Sequence, residues 1–322
     1  NLNLKMKSQN IKEQLKNTLD KANLNIGKKY EGKVRDSYVI DNKRLIITTD
    51  RISAFDRVLC TLPFKGQVLN QTAAFWFEKT KDIVKNHVIE IPDPNVLVAK
   101  ECELIPVEMV IRGYLTGVTT TSAWYNYEKG IRNFCGNILP EGMEKNQKFE
   151  KPIITPSTKA EKGAHDESIS GEEIVKRGLV DENIYKKMES VALALYNFGN
   201  QYVAKNNLIL VDTKYEFGLL DGELILIDEI HTPDSSRFWV KDTYDELFSN
   251  NKEPQKLDKE YVRQWLADKG FIGEGKIPSI PDEVKIEAAK RYITAYEMIT
   301  GKDFKAKDED ILARIENNLK KI

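Results

Sequence analysis

A β-hairpin pattern between residues 208 and 229 constrains this chain more than any other feature. Residues 208–211 are apolar, Asp221-Gly222 is a common turn pair, and residues 224–227 are apolar again. Apolar runs joined by Asp-Gly are typical of antiparallel strands. Residues 181–206, just before the hairpin, carry apolar side chains at three- and four-residue spacing, which predicts an amphipathic helix. Strands and helices in this order favour an α+β fold.

Charged residues lie on one face of the first predicted strand. Because alternate side chains of a strand share a face, Asp212, Lys214 and Glu216 point the same way. The return strand ends at Asp228. One or two carboxylates beside an ammonium suit a magnesium ion with nucleotide phosphates. The alternative is an exposed strand face with solvated salt bridges, which contribute little to stability.

The hairpin turn decides whether Glu216 and Asp228 can share a metal ion. A two-residue turn would place Asp228 opposite Tyr215 and point it away from Glu216. A three-residue turn over residues 220–222, with Gly222 left-handed, would instead place Asp228 on the face of Glu216. We therefore predict the three-residue turn, a positive φ at Gly222, and a cleft lined by Asp212, Lys214, Glu216 and Asp228.

Three further segments carry candidate anion-binding groups. Gly32 permits close backbone approach, and Lys33 and Arg35 would face one side of a strand, although the spacing is not that of a Walker loop. The alternative for this segment is a charged hairpin edge that discourages aggregation. Arg112, at the end of an apolar strand, and Arg237, after the hairpin, offer planar forks for phosphate or carboxylate. A surface ion pair is the alternative for either arginine alone.

Bulk composition narrows the classes of partner. The chain has 322 residues, of which 41% are hydrophobic and 31% charged, as in folded globular proteins. Its 49 basic residues balance 50 acidic ones, so no global charge favours nucleic acid or a membrane surface. Cys60, Cys102 and Cys135 are odd in number and far apart, and residues 1–20 lack the apolar core of a signal peptide. A cytoplasmic protein is expected, and the charge balance by itself indicates no class of partner.

The order of patterns along the chain suggests three parts. Residues 1–115 read as a β-rich lobe that contains a strand, turn, strand pattern over residues 28–50 and a helix over residues 67–83. Residues 116–275 contain the hairpin described above, preceded by a long stretch, residues 136–171, with little apolar periodicity. Such a stretch is typically functional when it lies in a compact domain. Residues 276–322 are predicted to be a C-terminal helical segment.

Seven ordered segments together resemble the SAICAR synthetase family, the phosphoribosylaminoimidazole-succinocarboxamide synthases. These segments are residues 32–36, 49–56, 65–70, 110–117, 155–167, 210–218 and 228–237. The resemblance implies an antiparallel-sheet N-terminal lobe, a larger α/β ATP-binding lobe and C-terminal helices, in a fold distantly similar to protein kinases and ATP-grasp enzymes. It implies ATP and Mg²⁺ as cofactors, and L-aspartate and carboxyaminoimidazole ribotide as substrates.

The resemblance also implies roles for individual residues. On the family pattern, ATP is bound by Gly32, Lys33, Arg35, Lys214 and Glu216, with Glu216 and Asp228 on the metal. The catalytic side chains are Lys214, Arg112 and Asp212. The substrate-binding side chains are Asp56, Arg112, Ser122, Lys159, His165, Asp166, Asp234 and Arg237.

One position departs from the family pattern. The family has a serine directly after the glycine that follows the arginine strand, whereas Gly117 is followed here by Val118 and three threonines before Ser122. The serine expected to touch the ribotide phosphate is therefore either replaced by Val118 or displaced to Ser122.

The implied reaction agrees with the residue types. A carboxylate is a poor electrophile, so ATP would first phosphorylate it, and the aspartate amine would then attack the acyl phosphate. Positioning and electrostatic stabilisation would do most of the catalysis, and a closed loop would exclude water. Two alternatives share the nucleotide residues: a small-molecule kinase that releases a phosphorylated product, and a regulatory module that binds ATP without turnover.

Overall fold

A computed structural model of the chain describes residues 10–159, 167–257 and 259–321. Two larger antiparallel sheets dominate it, with two small hairpins beside them. The strands are β1 (Lys28–Glu31), β2 (Arg35–Ile40), β3 (Lys43–Thr48), β4 (Arg51–Ala54), β5 (Arg57–Thr61), β6 (Val88–Asp93), β7 (Val96–Lys100), β8 (Glu103–Tyr114), β9 (Asn133–Phe134), β10 (Asn137–Ile138), β11 (Lys148–Ile154), β12 (Ser157–Thr158), β13 (Leu208–Leu220), β14 (Glu223–Ile227) and β15 (Ser236–Val240). The helices are α1 (Lys65–Lys79), α2 (Ala123–Glu128), α3 (Gly171–Lys176), α4 (Glu182–Ala204), α5 (Lys241–Ser249), α6 (Glu260–Asp268), α7 (Asp282–Thr300) and α8 (Ile311–Leu319).

The first sheet has the strand order β1-β2-β3-β7-β6. Its β2–β3 hairpin pairs Ile40 with Lys43 across a turn in which Asp41 has a φ of 53°. Two-residue turns with positive φ match the twist of the strands that they join. The turn at residues 41–42 and the strand after it are therefore confirmed, whereas the single strand expected before the turn is two paired strands, β1 and β2.

The second sheet is built around the two longest strands, β8 and β13. Its order is β11-β8-β13-β14, with β12 also paired to β8 and β15 also paired to β13. β8 belongs to residues 103–114, so the early part of the chain supplies a central strand to the sheet that holds the later hairpin. A division of the chain at residue 115 therefore separates two hydrogen-bonded strands, and the three-part division stays a prediction.

Helix α4 covers one face of the second sheet, as the apolar spacing of residues 181–206 predicted. Met188, Ala192 and Leu195 are fully buried in the same core as the strands. The hydroxyl of Tyr196 donates to the carbonyl oxygen of Leu210 at 2.8 Å. A Cβ at Gly113 would lie 2.1 Å from that hydroxyl oxygen, so helix and sheet can approach this closely only because residue 113 is glycine.

The C-terminal helices pack against the first third of the chain. Ala289 and Tyr292 of α7 share a core with Val68 and Leu69 of α1. Ile311 and Ile315 of α8 share another core with Tyr38, Leu45, Ile47, Val96 and Val98 of the first sheet. The predicted C-terminal helices are confirmed. Within the described residues, none of the helices combines the length and the apolar composition that a membrane span requires.

Two sequence-based expectations differ from the structure. Residues 136–171 contain β11 and β12, which pair with β8, so part of this stretch is sheet rather than loop. These strands were not predicted because the stretch lies at the margin of the sheet and carries many polar residues. In β11, for example, Phe149 is buried while its neighbours Lys148 and Glu150 are exposed. The helix predicted over residues 67–83 is present but shifted, since α1 spans Lys65–Lys79.

Candidate active site

The charged face of β13 lies beside β8 in the centre of the second sheet. The register pairs Asp212 with Arg112 and Glu216 with Glu108 across the two strands. Lys214 lies between these pairs on β13. The alternation predicted for Asp212, Lys214 and Glu216 is confirmed, because all three occupy one regular strand.

Lys214 forms two ion pairs on this face. Its Nζ lies 2.7 Å from Oε1 of Glu108 and 2.7 Å from Oε1 of Glu216. Burial alone would lower the pKa of Lys214, but Glu216 and Glu108 outweigh burial and raise that pKa well above its ordinary value. Lys214 is therefore a permanent cation in a partly enclosed position.

Glu216 is held by a second ammonium from outside the sheet. Nζ of Lys159, which directly follows β12, lies 2.6 Å from Oε2 of Glu216. Burial would raise the pKa of Glu216, yet the charges of Lys214 and Lys159 lower it below its ordinary value. Each oxygen of this buried carboxylate thus faces one cation.

Arg35 connects the first sheet to the end of the hairpin in the second. Its Nη1 lies 3.0 Å from Oδ1 of Asp228, and its Nη2 lies 2.8 Å from Oε1 of Glu229. Burial and the nearby charge of Glu216 raise the pKa of Asp228 to about 6, although Arg35 opposes that shift. Asp228 and Glu216 therefore act on each other electrostatically.

The turn of the β13–β14 hairpin differs from the prediction. Leu220 pairs with Glu223 and Glu216 with Ile227, so the turn has two residues and the predicted three-residue turn is wrong. Gly222 has the predicted positive φ, 77°, but Asp221 has one as well, 52°, which defines a tight primed turn. Asp228 follows the end of β14 with a φ of 69°. A left-handed residue at the strand end breaks the alternation, so the parity argument no longer fixes the direction of its side chain.

The acidic cluster comprises Glu108, Glu216, Asp228 and Glu229 together with Arg35, Lys159 and Lys214. Its contacts join four carboxylates to three cations. Among the residues that the structure describes, no group of three or more acidic, histidine or cysteine side chains is arranged to hold a metal ion by itself. Mg²⁺ in nucleotide sites is commonly bound by one or two carboxylates plus phosphates. The cluster has more carboxylates than cations, and two of its acids, Glu216 and Asp228, are neighbours. This arrangement fits that kind of site.

Glu108 is a member of this cluster that the sequence analysis missed. Its Oε2 also accepts a hydrogen bond of 3.4 Å from the Ser157 hydroxyl. The signal was available in the spacing, because Glu108 and Arg112 are four residues apart on one strand and therefore share a face. Only the register of β8 against β13 shows that this face meets Glu216.

The arginine cluster comprises Arg112, Arg237 and Asp212. Nη1 of Arg112 lies 3.4 Å from Oδ2 of Asp212, and Nη1 of Arg237 contacts the same oxygen. Nε of Arg112 donates to the Thr155 hydroxyl at 2.7 Å, which fixes the guanidinium in its buried position. Burial lowers the pKa of Arg112, and the carboxylate of Asp212 opposes that shift. Two guanidinium groups share one carboxylate here, and the charge of Arg237 also acts on Glu260 at the start of α6.

Ser122 lies beside the arginine cluster and Val118 does not. Ser122 is buried, and its Oγ lies 2.7 Å from the Thr119 hydroxyl oxygen. Gly117 has a φ of 94°, and a Cβ there would lie 2.4 Å from Oγ of Ser122 and 3.0 Å from Nη2 of Arg237. Val118 is 60% exposed. Of the two candidate positions, the geometry brings Ser122 to Arg237.

Asp234 lies in the connection between β14 and β15, three residues before Arg237. Its Oδ2 accepts a hydrogen bond of 2.7 Å from Nζ of Lys65, a side chain with 0% exposure. Burial would raise the pKa of Asp234, but Lys65 and Lys259 lower it to about 2. Asp234 is thus an ionised carboxylate in an enclosed position.

Lys33 and Asp56 form an ion pair with each other at the outer margin of the site. Both side chains are more than half exposed, at 59% and 65%. The prediction that Lys33 and Arg35 lie on one strand is wrong, because β2 begins at Arg35 and Lys33 lies in the preceding connection. Gly32 donates its backbone N–H to the carbonyl oxygen of Arg35 at 2.8 Å, and a Cβ at Gly32 would lie 2.9 Å from that oxygen. His165 and Asp166 lie outside the described residues.

The chain is similar to known proteins in both sequence and fold. A model of the family described as SAICAR synthetase matches residues 28–278. A phosphoribosylaminoimidazole-succinocarboxamide synthase of Legionella pneumophila (strain Lens) is 49% identical over 288 residues, which cover 89% of this chain and 92% of that protein.

Solved structures give the same result. A SAICAR-synthase from Saccharomyces cerevisiae, complexed with SAICAR, has a TM-score of 0.77 at 31% identity and covers 90% of this chain and 100% of that chain. A SAICAR synthetase in complex with ADP has a TM-score of 0.65 at 26% identity and covers 87% of this chain and 100% of that chain.

Proposed function

This chain belongs to the SAICAR synthetase family, and from that premise we propose which of its residues bind each reactant. The enzyme is a carbon–nitrogen ligase of purine biosynthesis, which joins L-aspartate to carboxyaminoimidazole ribotide, hereafter the ribotide, at the expense of ATP. One observation supports the assignment above all others: along one face of β13, the acidic cluster has an excess of carboxylates and the arginine cluster an excess of guanidinium groups.

The acidic cluster binds the phosphates of ATP together with Mg²⁺. Arg35 and Lys214 are cations that their carboxylate partners keep charged, so they can attract phosphoryl oxygens. Glu216 and Asp228 are the carboxylates assigned to the metal. Glu108 lies next to them and forms an ion pair with Lys214. When bound, Mg²⁺ supplies positive charge that stabilises the phosphoryl oxygens.

The carboxylates of this cluster fit a divalent cation because each of them already faces a positively charged side chain. Glu216 is buried, and its two oxygens are each paired with an ammonium, from Lys214 and from Lys159. A site that keeps a buried carboxylate ionised for two cations presents hard oxygen donors, the ligand type that Mg²⁺ prefers.

The arginine cluster binds the anionic groups of the ribotide. Arg112 and Arg237 provide planar forks that match phosphate or carboxylate, and Asp212 orients both of them. Ser122 adds a hydroxyl beside Arg237. Asp234, in the connection that leads into β15, adds a hydrogen-bond acceptor. Because Asp212 and Lys214 are two residues apart on β13, the ribotide and the ATP phosphates bind next to each other.

The chemistry then proceeds in two transfers. The ribotide carboxylate attacks the γ-phosphorus of ATP, ADP leaves, and an acyl phosphate forms. The neutral amine of L-aspartate attacks the acyl carbon, the carbon–oxygen bond to the phosphate breaks, inorganic phosphate leaves, and the nitrogen gives up one proton to solvent to yield the amide. No enzyme nucleophile is required, so the residues act by orienting the reactants and by stabilising charge. Lys159, directly after β12, contacts Glu216 and so holds the end of β12 beside the reacting groups.

The overall reaction is tested by measuring ADP release with the ribotide, with and without L-aspartate. We expect ADP and the succinocarboxamide to form in equal amounts, and only when ATP, ribotide and L-aspartate are all present. ADP release without L-aspartate, with a stable phosphorylated ribotide as product, would instead indicate a kinase. Binding of ATP with no turnover under any of these conditions would indicate a regulatory module.

A further inference from the structure

Helix α7 reaches the candidate active site through one side chain. The hydroxyl of Tyr292 donates to Oδ1 of Asp234 at 2.6 Å, while Nζ of Lys65 donates to Oδ2 of the same carboxylate at 2.7 Å. Each oxygen of Asp234 thus has a donor of its own, one from α7 and one from α1. Helix α7 begins at Asp282, after the last residue that the family model matches.

The three side chains form a buried unit. Lys65 is 0% exposed, and Tyr292 is 1% exposed. Nζ of Lys65 also lies 5.4 Å from the centroid of the Tyr292 ring, within the range of a cation–π contact. Buried polar groups of this kind need partners with good geometry, so the position of each one constrains the other two.

The charges around Asp234 show what kind of group it is. Lys65 from α1, Tyr292 from α7 and Lys259 at the start of α6 favour its ionised form, and Arg35 from β2 is close enough to interact with its charge. An ionised carboxylate accepts hydrogen bonds and does not donate them. With one donor on each oxygen, its remaining lone pairs are available to a bound molecule.

We propose that Tyr292 is a positioning residue for ribotide binding, which acts by holding the Asp234 carboxylate in a fixed orientation. This inference rests on the proposed function, which assigns the ribotide to the end of the site that holds Asp234 and Arg237. Without the tyrosine hydroxyl, Lys65 still holds one oxygen, but the carboxylate gains freedom about its side-chain bonds. A polar group that is held loosely binds its ligand less well, because ordering it costs entropy at each binding event.

The test compares Tyr292→Phe with Tyr296→Phe in the full-length enzyme. Tyr292→Phe removes only the hydroxyl and keeps the ring beside Lys65. Tyr296 lies one turn along on α7 and packs its ring against Phe304 at 5.5 Å, so its variant controls for loss of a tyrosine hydroxyl from the same helix. For Tyr292→Phe we expect the KM for the ribotide to rise by about tenfold, since the hydrogen bond lost is to a charged group. The KM for ATP and kcat should change by less than about twofold, as for loss of an interaction that is made equally in the ground state and the transition state.

Three results separate the inference from its alternatives. A ribotide KM in Tyr292→Phe equal to that of Tyr296→Phe would overturn it, as would equal rises in the KM values of ribotide, ATP and L-aspartate. A change in the melting temperature that accounts for the lost activity would show a purely structural role and would also overturn it.

A failure of the proposed function would give a different experimental result from a failure of the inference about Tyr292. If the wild-type enzyme shows no ADP release that depends on both ribotide and L-aspartate, the function itself is wrong. If the wild-type enzyme is active and Asp234→Ala raises the ribotide KM but Tyr292→Phe does not, only the inference about Tyr292 is wrong.

Discussion

The acidic cluster and the arginine cluster lie on the same face of the same strand, yet they are built in opposite ways. In the acidic cluster, Lys214 is placed between two carboxylates, Glu108 and Glu216. In the arginine cluster, Asp212 is placed between two guanidinium groups, Arg112 and Arg237. The central residues Asp212 and Lys214 are neighbours on the face, so the sign of the charge reverses within one step of the strand.

This difference shows how a single strand can bind two unlike reactants side by side. Cross-strand register decides the outcome, because Asp212 is opposite Arg112 while Glu216 is opposite Glu108. A cation pair around one acid attracts an anion, and an acid pair around one cation leaves room for a metal ion. In the acidic cluster, the carboxylates keep Lys214 charged, so it does not need to ionise when its ligand binds. The predictions below test whether the two clusters are separate in function.

The largest expected effect is at the centre of the acidic cluster. Lys214→Met removes the cation that faces the phosphoryl oxygens, and we expect kcat to fall by roughly 10² to 10³-fold, as for loss of one preorganised charge-stabilising group. Ribotide binding, measured by calorimetry without ATP, should change little, because the arginine cluster is intact. Lys85→Met is the matched control, since Lys85 pairs with Glu223 at the exposed end of the same hairpin. A parallel loss of ribotide affinity in Lys214→Met would show that the clusters are not separable.

The second effect is at the arginine cluster. Arg237→Lys keeps the charge but cannot reproduce bidentate geometry, so the ribotide KM should rise roughly ten- to thirtyfold while the ATP KM stays nearly constant. Arg44→Lys is the control, because Arg44 makes a two-pronged contact with Glu101 away from the site. Equal losses for ribotide and ATP would count against the assignment of Arg237.

The third effect is a pH dependence that only one cluster should show. The pKa of Asp228 is raised to about 6, so below that pH Asp228 is protonated and is lost as a metal ligand. We expect kcat/KM for ATP with Mg²⁺ to rise with pH and to level off above about pH 6, with a tenfold change per unit on the acid side. The pKa of Asp234 is lowered to about 2, so it stays ionised throughout this range.

The same experiment has an internal control. With ATP and Mg²⁺ saturating, kcat/KM for the ribotide reports on enzyme in which Asp228 is already bound to the metal. The phosphate of the ribotide has a second pKa of about 6 and adds a limb of its own to that profile. After correction for this substrate titration, the ribotide profile should lack the acid limb, and a remaining limb like that of the ATP profile would argue that Asp228 does not act through the metal.

Much of this architecture is predictable from the sequence where local pattern decides it. The alternation of Asp212, Lys214 and Glu216 follows from strand geometry alone, and the helix before them follows from its apolar spacing. The residue pattern also pointed to the two arginines as candidate anion-binding groups, and the resemblance to a known family supplied their roles. None of these needed knowledge of how strands pair.

The rest depended on pairing that the sequence does not reveal. Glu108 was missed because its relation to Glu216 exists only in the register of β8 against β13. The turn was predicted wrongly because Asp228 was expected to continue the strand. In the structure, Asp228 follows β14 with a left-handed backbone. Tyr292 was missed because its contact with Asp234 spans 58 residues and depends on how α7 packs against α1.

The smallest expected effect tests the border of the arginine cluster. Ser122 is buried beside Arg237, while Val118 points its side chain to solvent. If Ser122 makes the phosphate contact, Ser122→Ala should raise the ribotide KM about tenfold, the low end for one hydrogen bond to a charged group, and Val118→Ser should leave it unchanged. The ATP KM should be constant in both variants, because neither residue lies in the acidic cluster. An improved ribotide KM in Val118→Ser, with no effect of Ser122→Ala, would show that the phosphate binds at residue 118, and the arginine cluster would then extend toward solvent rather than into the buried turn around Gly117.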